Sequence, residues 1–341
     1  MKIRLLLFLV ILLPLFTRSQ SYPNPYREVG PWLQLPDGRA PGAGGDVDID
    51  PSGEFIWAIV RCDRTGRTGR ECLNSDLDPV LKIDQEGKVV QSFGGGMFIW
   101  PHGIEVDPAG NVWVTDAVKD KNIPEGDIRG HQIIKFSAEG KVLMRLGTPG
   151  EAGDKENQLN SPSDLVVDKE GFIYVIDGHS SDSNPRVKKF NKNGEFVKQW
   201  SQRGYGPGQL QNAHSIAINS KGKLFVADRG NNRIEIFDKE GSFLSTWTQF
   251  GKPSGIFIDE NDIIYVADSE SDYKQNPGWE LGIRIGDSES GWVHYFVPLS
   301  DGDPRKTHTQ GAEFVAVDKY GNMYGGEPRP MKLKKYVRVR K

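Results

Sequence analysis

The stretch WPHGIEVDPAGNVWVTD, residues 100–116, holds two short alternating runs, GIEV and VWVT, around DPAG. Alternation with period two marks half-buried strands, and Asp107 followed three residues later by Gly110 marks a tight turn in which Gly takes a positive φ. The phrase recurs. DVDIDPSGEFIWAIV (46–60), DLVVDKEGFIYVID (164–177), SIAINSKGKLFVAD (215–228), GIFIDENDIIYVAD (255–268) and FVAVDKYGNMYGGE (314–327) repeat it, anchored at Asp50, Asp168, Asn219, Asp259 and Asp318. Gly follows each anchor by three residues except in the fifth copy, where Asp262 stands. A second hairpin phrase follows most copies: VLKIDQEGKVVQSFG (80–94), IIKFSAEGKVLMRLG (133–147), RVKKFNKNGEFVKQW (186–200), RIEIFDKEGSFLSTW (233–247) and a degenerate IRIGDSESGWVHYFV (283–297). Two hairpins per unit make four antiparallel strands, which is a propeller blade. Anchor spacings of 40 to 61 residues place the excess in loops.

The sixth unit runs out of chain. KLKKYVRV (332–339) supplies its third strand, and YREVGPWLQLPDG (26–38), left over at the other end, is expected to supply the fourth. Closure by both ends would bury edges open to unwanted pairing. The expectation is an all-β chain, a single six-bladed β-propeller spanning 21–341.

Composition agrees. The 341 residues include 40 Gly and 21 Pro, which suits many short strands and turns. Lys+Arg number 43 against 46 Asp+Glu, a net charge of −3 that argues against nucleic-acid binding through phosphate neutralisation. Residues 1–20 differ from the rest: Lys2 and Arg4 precede LLLFLVILLPLF (5–16) and a polar end, the pattern of a secretory signal, with an uncleaved anchor as the alternative. The run is short for a membrane span, so the expectation is a secreted or periplasmic monomer with no membrane contact once the signal is removed. Cys62 and Cys72 are the only cysteines and are expected to form one local disulfide.

Counting five residues back from each anchor along the channel-lining first strand gives His102, His214 and Glu313 in blades two, four and six, and Gly45, Ser163 and Ser254 in blades one, three and five. Six-fold geometry sets the first three about 120° apart around one axis. Two imidazoles and a carboxylate there suit a divalent metal, zinc first, with iron or manganese as alternatives; the plainer alternative is a polar, wet tunnel. His131 is expected to pack or cap a loop, and Asp116, Asp177, Asp228 and Asp268, closing four second strands, to be structural turn acids.

WPHGIEVDPAGNVWVTD, LGTPGEAGD (146–154) with SPSDLVVD (161–168), IYVIDGHSSDSNPRVKKF (173–190) and LFVADRGNNRIEIF (224–237) resemble the NHL-repeat propellers similar to peptidyl-α-hydroxyglycine α-amidating lyase. That resemblance implies a zinc held by three channel histidines. His102 and His214 match two of them, and Glu313 stands at the third. It implies that Arg61 helps hold substrate, with an ion pair to Asp63 or another loop acid as its alternative. His179 falls where the family has a Tyr in the proton chemistry and is expected to act as a catalytic base, with a solvated loop residue as its alternative. Phe314 replaces an acid that binds a structural calcium, which puts that calcium in doubt. The implied reaction breaks the C–N bond of a peptidyl hydroxyglycine, a small-molecule or peptide substrate, to give an amide and glyoxylate. Two other readings remain: a non-catalytic propeller binding a protein, peptide or glycan, and a metal-dependent hydrolase or lactonase on the same scaffold.

Overall fold

The computed structural model describes residues 22–36, 38–63, 68–179, 183–298, 311–329 and 331–339; the expected signal at 1–20 lies outside the described residues. The strands form six separate four-stranded antiparallel sheets in a closed ring. After β1 (Tyr26–Val29), blade one is β2 (Gly44–Ile49), β3 (Ile56–Val60), β4 (Val80–Ile83) and β5 (Val89–Phe93). Blade two is β6 (Pro101–Val106), β7 (Val112–Asp116), β8 (Ile133–Phe136) and β9 (Val142–Leu146). Blade three is β10 (Pro162–Val167), β11 (Ile173–Asp177), β12 (Arg186–Phe190) and β13 (Phe196–Trp200). Blade four is β14 (Ile216–Ile218), β15 (Leu224–Asp228), β16 (Arg233–Phe237) and β17 (Phe243–Trp247). Blade five is β18 (Pro253–Ile258), β19 (Ile263–Asp268), β20 (Gly282–Asp287) and β21 (Val293–Pro298). Blade six is β22 (Phe314–Val317), β23 (Met323–Glu327) and β24 (Lys332–Arg338), completed by β1, with Tyr26 opposite Arg338 and Val29 opposite Lys335. Among the described residues no helix is long and apolar enough to cross a membrane.

Only four residues of the leftover N-terminal stretch join the sixth sheet. Gly30 and Pro31 end β1, because Pro has no N–H to offer the ladder. The chain then crosses to blade one, where Trp32 packs on Tyr324 and its indole N–H donates to Gln85 O. The repeat turns take the expected form: Gly110 has φ 81°, and Asp262, the exception, has φ 60°.

Each sheet buries both faces, one against each neighbour, and the period of two sorts its side chains between them. In β3, Ile56, Ala58 and Val60 pack toward blade six, while Trp57 and Ile59 pack toward blade two. Trp113 is 1% exposed between blades two and three, with its indole N–H donating to Asp107 Oδ2 at 3.1 Å. Trp113→Ala is expected to destabilise the ring by about 3–5 kcal/mol, the usual loss for emptying a buried aromatic site; denaturant unfolding checks it, and a change under 1 kcal/mol would refute this packing.

Among the described residues no backbone ladder joins one blade's inner strand to the next, and side chains bridge that gap. Asp46 Oδ2 accepts Ile104 N–H at 2.9 Å, Asp48 Oδ2 accepts Val106 N–H at 2.7 Å, Glu105 Oε1 accepts Val167 N–H at 3.0 Å, and Asp164 Oδ2 accepts Ile216 N–H at 2.9 Å. Burial pushes the Asp48 and Asp164 carboxyls up to about 7.

At the ring closure, Glu327 is buried 3.3 Å from Lys334 Nζ, and burial pushes its carboxyl up to about 7 from an ordinary 4.5. Between those values the folded chain keeps a proton that the unfolded chain has released, so this group makes folding less favourable as pH rises from 4.5 to 7. Glu327→Gln is therefore expected to gain stability relative to the parent, by up to about 3 kcal/mol, between pH 5 and pH 8. Equal unfolding midpoints for the two chains at both pH values would contradict it.

Candidate functional site

The loops entering the inner strands are held by the acids that end the second strands. Asp116 accepts the N–H groups of Ile99 and Trp100, both at 2.9 Å, and Asp228 accepts Gln211 N–H at 2.6 Å. These bonds fix the backbone just before His102 and His214. Pairing of β6 with β7 slips between Pro101 and Ile104, a bulge that places His102 at the shift. The next inner strands then orient the rings. His102 Nδ1 bonds Ser163 O at 2.9 Å, and His214 Nδ1 bonds Ser254 O at 3.0 Å. A carbonyl accepts only, so each ring carries its proton on Nδ1 and leaves Nε2 with a lone pair. Ser163 and Ser254 are the residues at the same repeat position one blade on, so the six-fold register supplies the ligands and their orienting carbonyls alternately.

His179 reaches the same place by another route. It follows β11 after Gly178, and the N–H groups of both residues donate to Ser161 O, at 3.3 and 3.0 Å. Gly178 has φ 116°, and a Cβ there would lie 2.5 Å from Pro185 Cα, so only glycine makes this turn. One ligating atom from each of His102, His179 and His214 lies within 4.8 Å of the others. His214 Nε2 and both ring nitrogens of His179 are buried without a hydrogen-bond partner. Burial, then nearby positive charge, pushes all three imidazoles well below 6.5, so they are neutral at neutral pH. Glu313 stands beside the trio, with Oε1 3.9 Å from His214 Nε2 and 3.5 Å from Arg229 Nη1. Three neutral imidazoles, convergent and short of hydrogen bonds, are a donor set that fits a zinc-like cation.

Apolar rings wall the site. Trp100 lies 5.1 Å from His102 and 5.3 Å from His179, and Phe314 lies 5.4 Å from His102 and 4.9 Å from His214, centroid to centroid. Arg61 is 2% exposed, its guanidinium carbon 5.3 Å from the Trp100 centroid and its Nε donating to Pro101 O at 3.0 Å. Its Nη2 is buried without a partner, and no acid pairs with Arg61 among the described residues. The disulfide Cys62–Cys72 follows directly, and Thr68 and Gly69 within its loop line the same cavity as Arg61 and His179, of about 570 Å³. Such a disulfide belongs to an oxidising compartment. In the orientation that satisfies both ends of its amide, Asn212 donates to His179 O at 3.0 Å and accepts from Arg229 Nη2 at 3.3 Å.

His131 lies outside the cluster. Its Nδ1 accepts Ser161 N–H at 3.0 Å and its Nε2 faces Asp120 at 3.2 Å, a loop cap as expected. Sequence reading did not find Trp100, the ring Phe314 lays on two histidines, or Lys119 and Lys121 on the cavity wall. Trp100 had a signal, two residues before a channel histidine; the lysines sit in a loop with no repeat register.

The fold is a six-bladed propeller, and residues 210–237 match the NHL repeat family. The chain is 35% identical over 251 residues to the peptidylglycine alpha-amidating monooxygenase of Rattus norvegicus, a match covering 64% of this chain and 24% of that protein. It is 30% identical over 217 residues to a probable peptidyl-alpha-hydroxyglycine alpha-amidating lyase of Caenorhabditis elegans, covering 61% of this chain and 55% of the relative. The matches thus span less than two thirds of these relatives' lengths. A gluconolactonase from Xanthomonas campestris superposes with a TM-score of 0.58 at 17% identity, over 88% of this chain and 87% of that one, which shows a shared fold.

Proposed function

We propose that the chain is a secreted or periplasmic metal-dependent lyase that cleaves the C–N bond of a peptidyl-α-hydroxyglycine, releasing an amide and glyoxylate. The observation that carries this reading is the convergence of His102, His179 and His214, the first and last oriented by backbone carbonyls, beside a buried guanidinium with an unsatisfied nitrogen. Relatives whose names carry the same activity add to it.

His102, His179 and His214 would hold the metal, zinc by preference for imidazole donors. A bound divalent ion supplies Lewis acidity, lowering the pKa of a nearby hydroxyl. Arg61 pairs with the substrate carboxylate through its free Nη2, in a planar contact that fixes the reacting carbon. Glu313 receives the hydroxyl proton, and Arg229 steadies the carboxylate at 3.5 Å. As the oxygen–carbon bond becomes a carbonyl, the C–N electron pair passes to nitrogen, which takes the proton from Glu313. Trp100 and Phe314 exclude water from the imidazoles. His179, with a pKa pushed well below 6.5, serves better as a donor of its lone pair than as a base.

The test is elemental analysis of purified chain together with release of glyoxylate from an acyl-α-hydroxyglycine. One metal per chain and turnover that chelation removes are expected. Metal without turnover would favour a hydrolase or lactonase, and a metal-free protein with no turnover would leave the binding-propeller reading.

A further inference from the structure

The chain as a whole carries a net charge of −3, yet the cavity over the histidines has the opposite sign. Five cations line it, Arg61, Lys119, Lys121, Arg203 and Arg229, against the acids Glu270 and Glu313. Both acids are engaged with the same partner, each 3.5 Å from Arg229 Nη1. Arg203 donates to Ser183 O and to Gln211 Oε1. Lys119 and Lys121 have no ion pair or hydrogen bond from their amines among the described residues.

Lys119 precedes, and Lys121 lies within, a single 3-10 turn, Asp120–Asn122. Asn122 Nδ2 donates to Thr68 O at 3.2 Å and Gly69 O at 3.4 Å, tying the turn to the disulfide loop. Asp120, the acid between the lysines, turns to His131 Nε2 at 3.2 Å. Lys119 and Lys121 line the same cavity as His179 and Arg61. One anionic group bound at Arg61 leaves this second pair of charges unanswered, and a cleft with an excess of one sign concentrates ligands of the other.

We propose that the site selects substrates with a second carboxylate: an acidic side chain on the residue preceding the hydroxyglycine, bound between Lys119 and Lys121. This rests on the lyase reading for the orientation of the substrate, with its terminal carboxylate at Arg61 and its peptide running toward the cavity mouth. Two partly exposed ammonium–carboxylate contacts favour the acidic substrate over its neutral isostere by about 3- to 10-fold at low ionic strength, and salt weakens the preference.

The experiment compares acetyl-Glu-α-hydroxyglycine with acetyl-Gln-α-hydroxyglycine by kcat/KM, in the parent and in Lys119→Ala/Lys121→Ala. Binding of acetyl-Glu-Gly and acetyl-Gln-Gly, which lack the hydroxyl, is measured by calorimetry on the same metal-loaded proteins. The expected result is a preference for Glu in the parent, reduced in 0.5 M salt (a concentration on the order of several times physiological) and lost in the double variant. A parent ratio near one, or a ratio that persists in the double variant, overturns the proposal. If neither hydroxyglycine is cleaved but the calorimetric preference is present and needs the lysines, the lyase reading fails and the anion selectivity stands.

Discussion

His214→Ala is expected to empty the metal centre and lower turnover on the order of 10³-fold, the scale of losing a group that stabilises charge at the reacting centre. His214 is buried, held at Nδ1 by Ser254 O, and offers Nε2 to a space shared with His102 and His179. Removing the ring leaves two imidazoles, and a catalytic zinc site needs three protein ligands. The fold should survive, because the loop is held by Asp228 and by the His214 N–H bond to Ala227 O, neither of which involves the ring. His294, exposed on β21, supplies the control: His294→Ala should keep metal and turnover. Elemental analysis alongside glyoxylate release decides the matter, and a His214→Ala protein that still carries stoichiometric metal would remove the centre from this place.

Arg61→Ala is expected to lower kcat/KM about 10²-fold or more, in the range seen when one partner of a buried charge pair is truncated. The guanidinium sits on Trp100 with Nη2 unsatisfied, so its desolvation is already complete before substrate arrives. Lysine should not restore it, because a point charge cannot make the planar double contact. Arg61 also donates to Pro101 O, one residue before His102, which gives it a second route of influence. The two are separated by an α-hydroxyglycinamide, whose terminal carboxylate is replaced by a neutral amide. Carboxylate recognition predicts that Arg61→Ala changes little on that compound; an equal loss on both compounds would mean that Arg61 works by holding the His102 backbone.

The ring was legible because each blade repeats the same hairpin grammar, and a repeat that cannot bury its faces alone implies neighbours on both sides. The channel count from the anchors relies on a regularity the pattern does not display. The inner strands of blades one, two, three and five share a register shift at the counted position, seen between Gly44 and Val47, Pro101 and Ile104, Pro162 and Asp164, and Pro253 and Gly255. Because the irregularity itself repeats, one offset from the anchor names equivalent positions in those four blades. His179 belongs to no such register. It lies in a loop after β11, and its approach to the other histidines depends on the Gly178 turn and the Ser161 carbonyl. The rise of the inner-strand carboxyls, Asp48 and Asp164 among them, was hidden as well, since a pattern of alternating acids reads as solvent-facing until the neighbouring inner strands enclose it.

Chain order and composition alone decided the number of blades, the strands within each, the turn residues, the joining of the first strand to the last sheet and the cysteine pair. The first three follow from local propensity and the period of the repeat; the joining follows from the strand that the sixth repeat lacks, and the cysteine pair from there being only two cysteines. Tertiary structure alone decided that a loop histidine from blade three joins imidazoles from blades two and four, that Glu313 turns to Arg229 as well as to His214, and that two lysines overlook the cavity. Those are contacts between residues tens of positions apart, set by how six sheets close around an axis, and no local rule carries that distance.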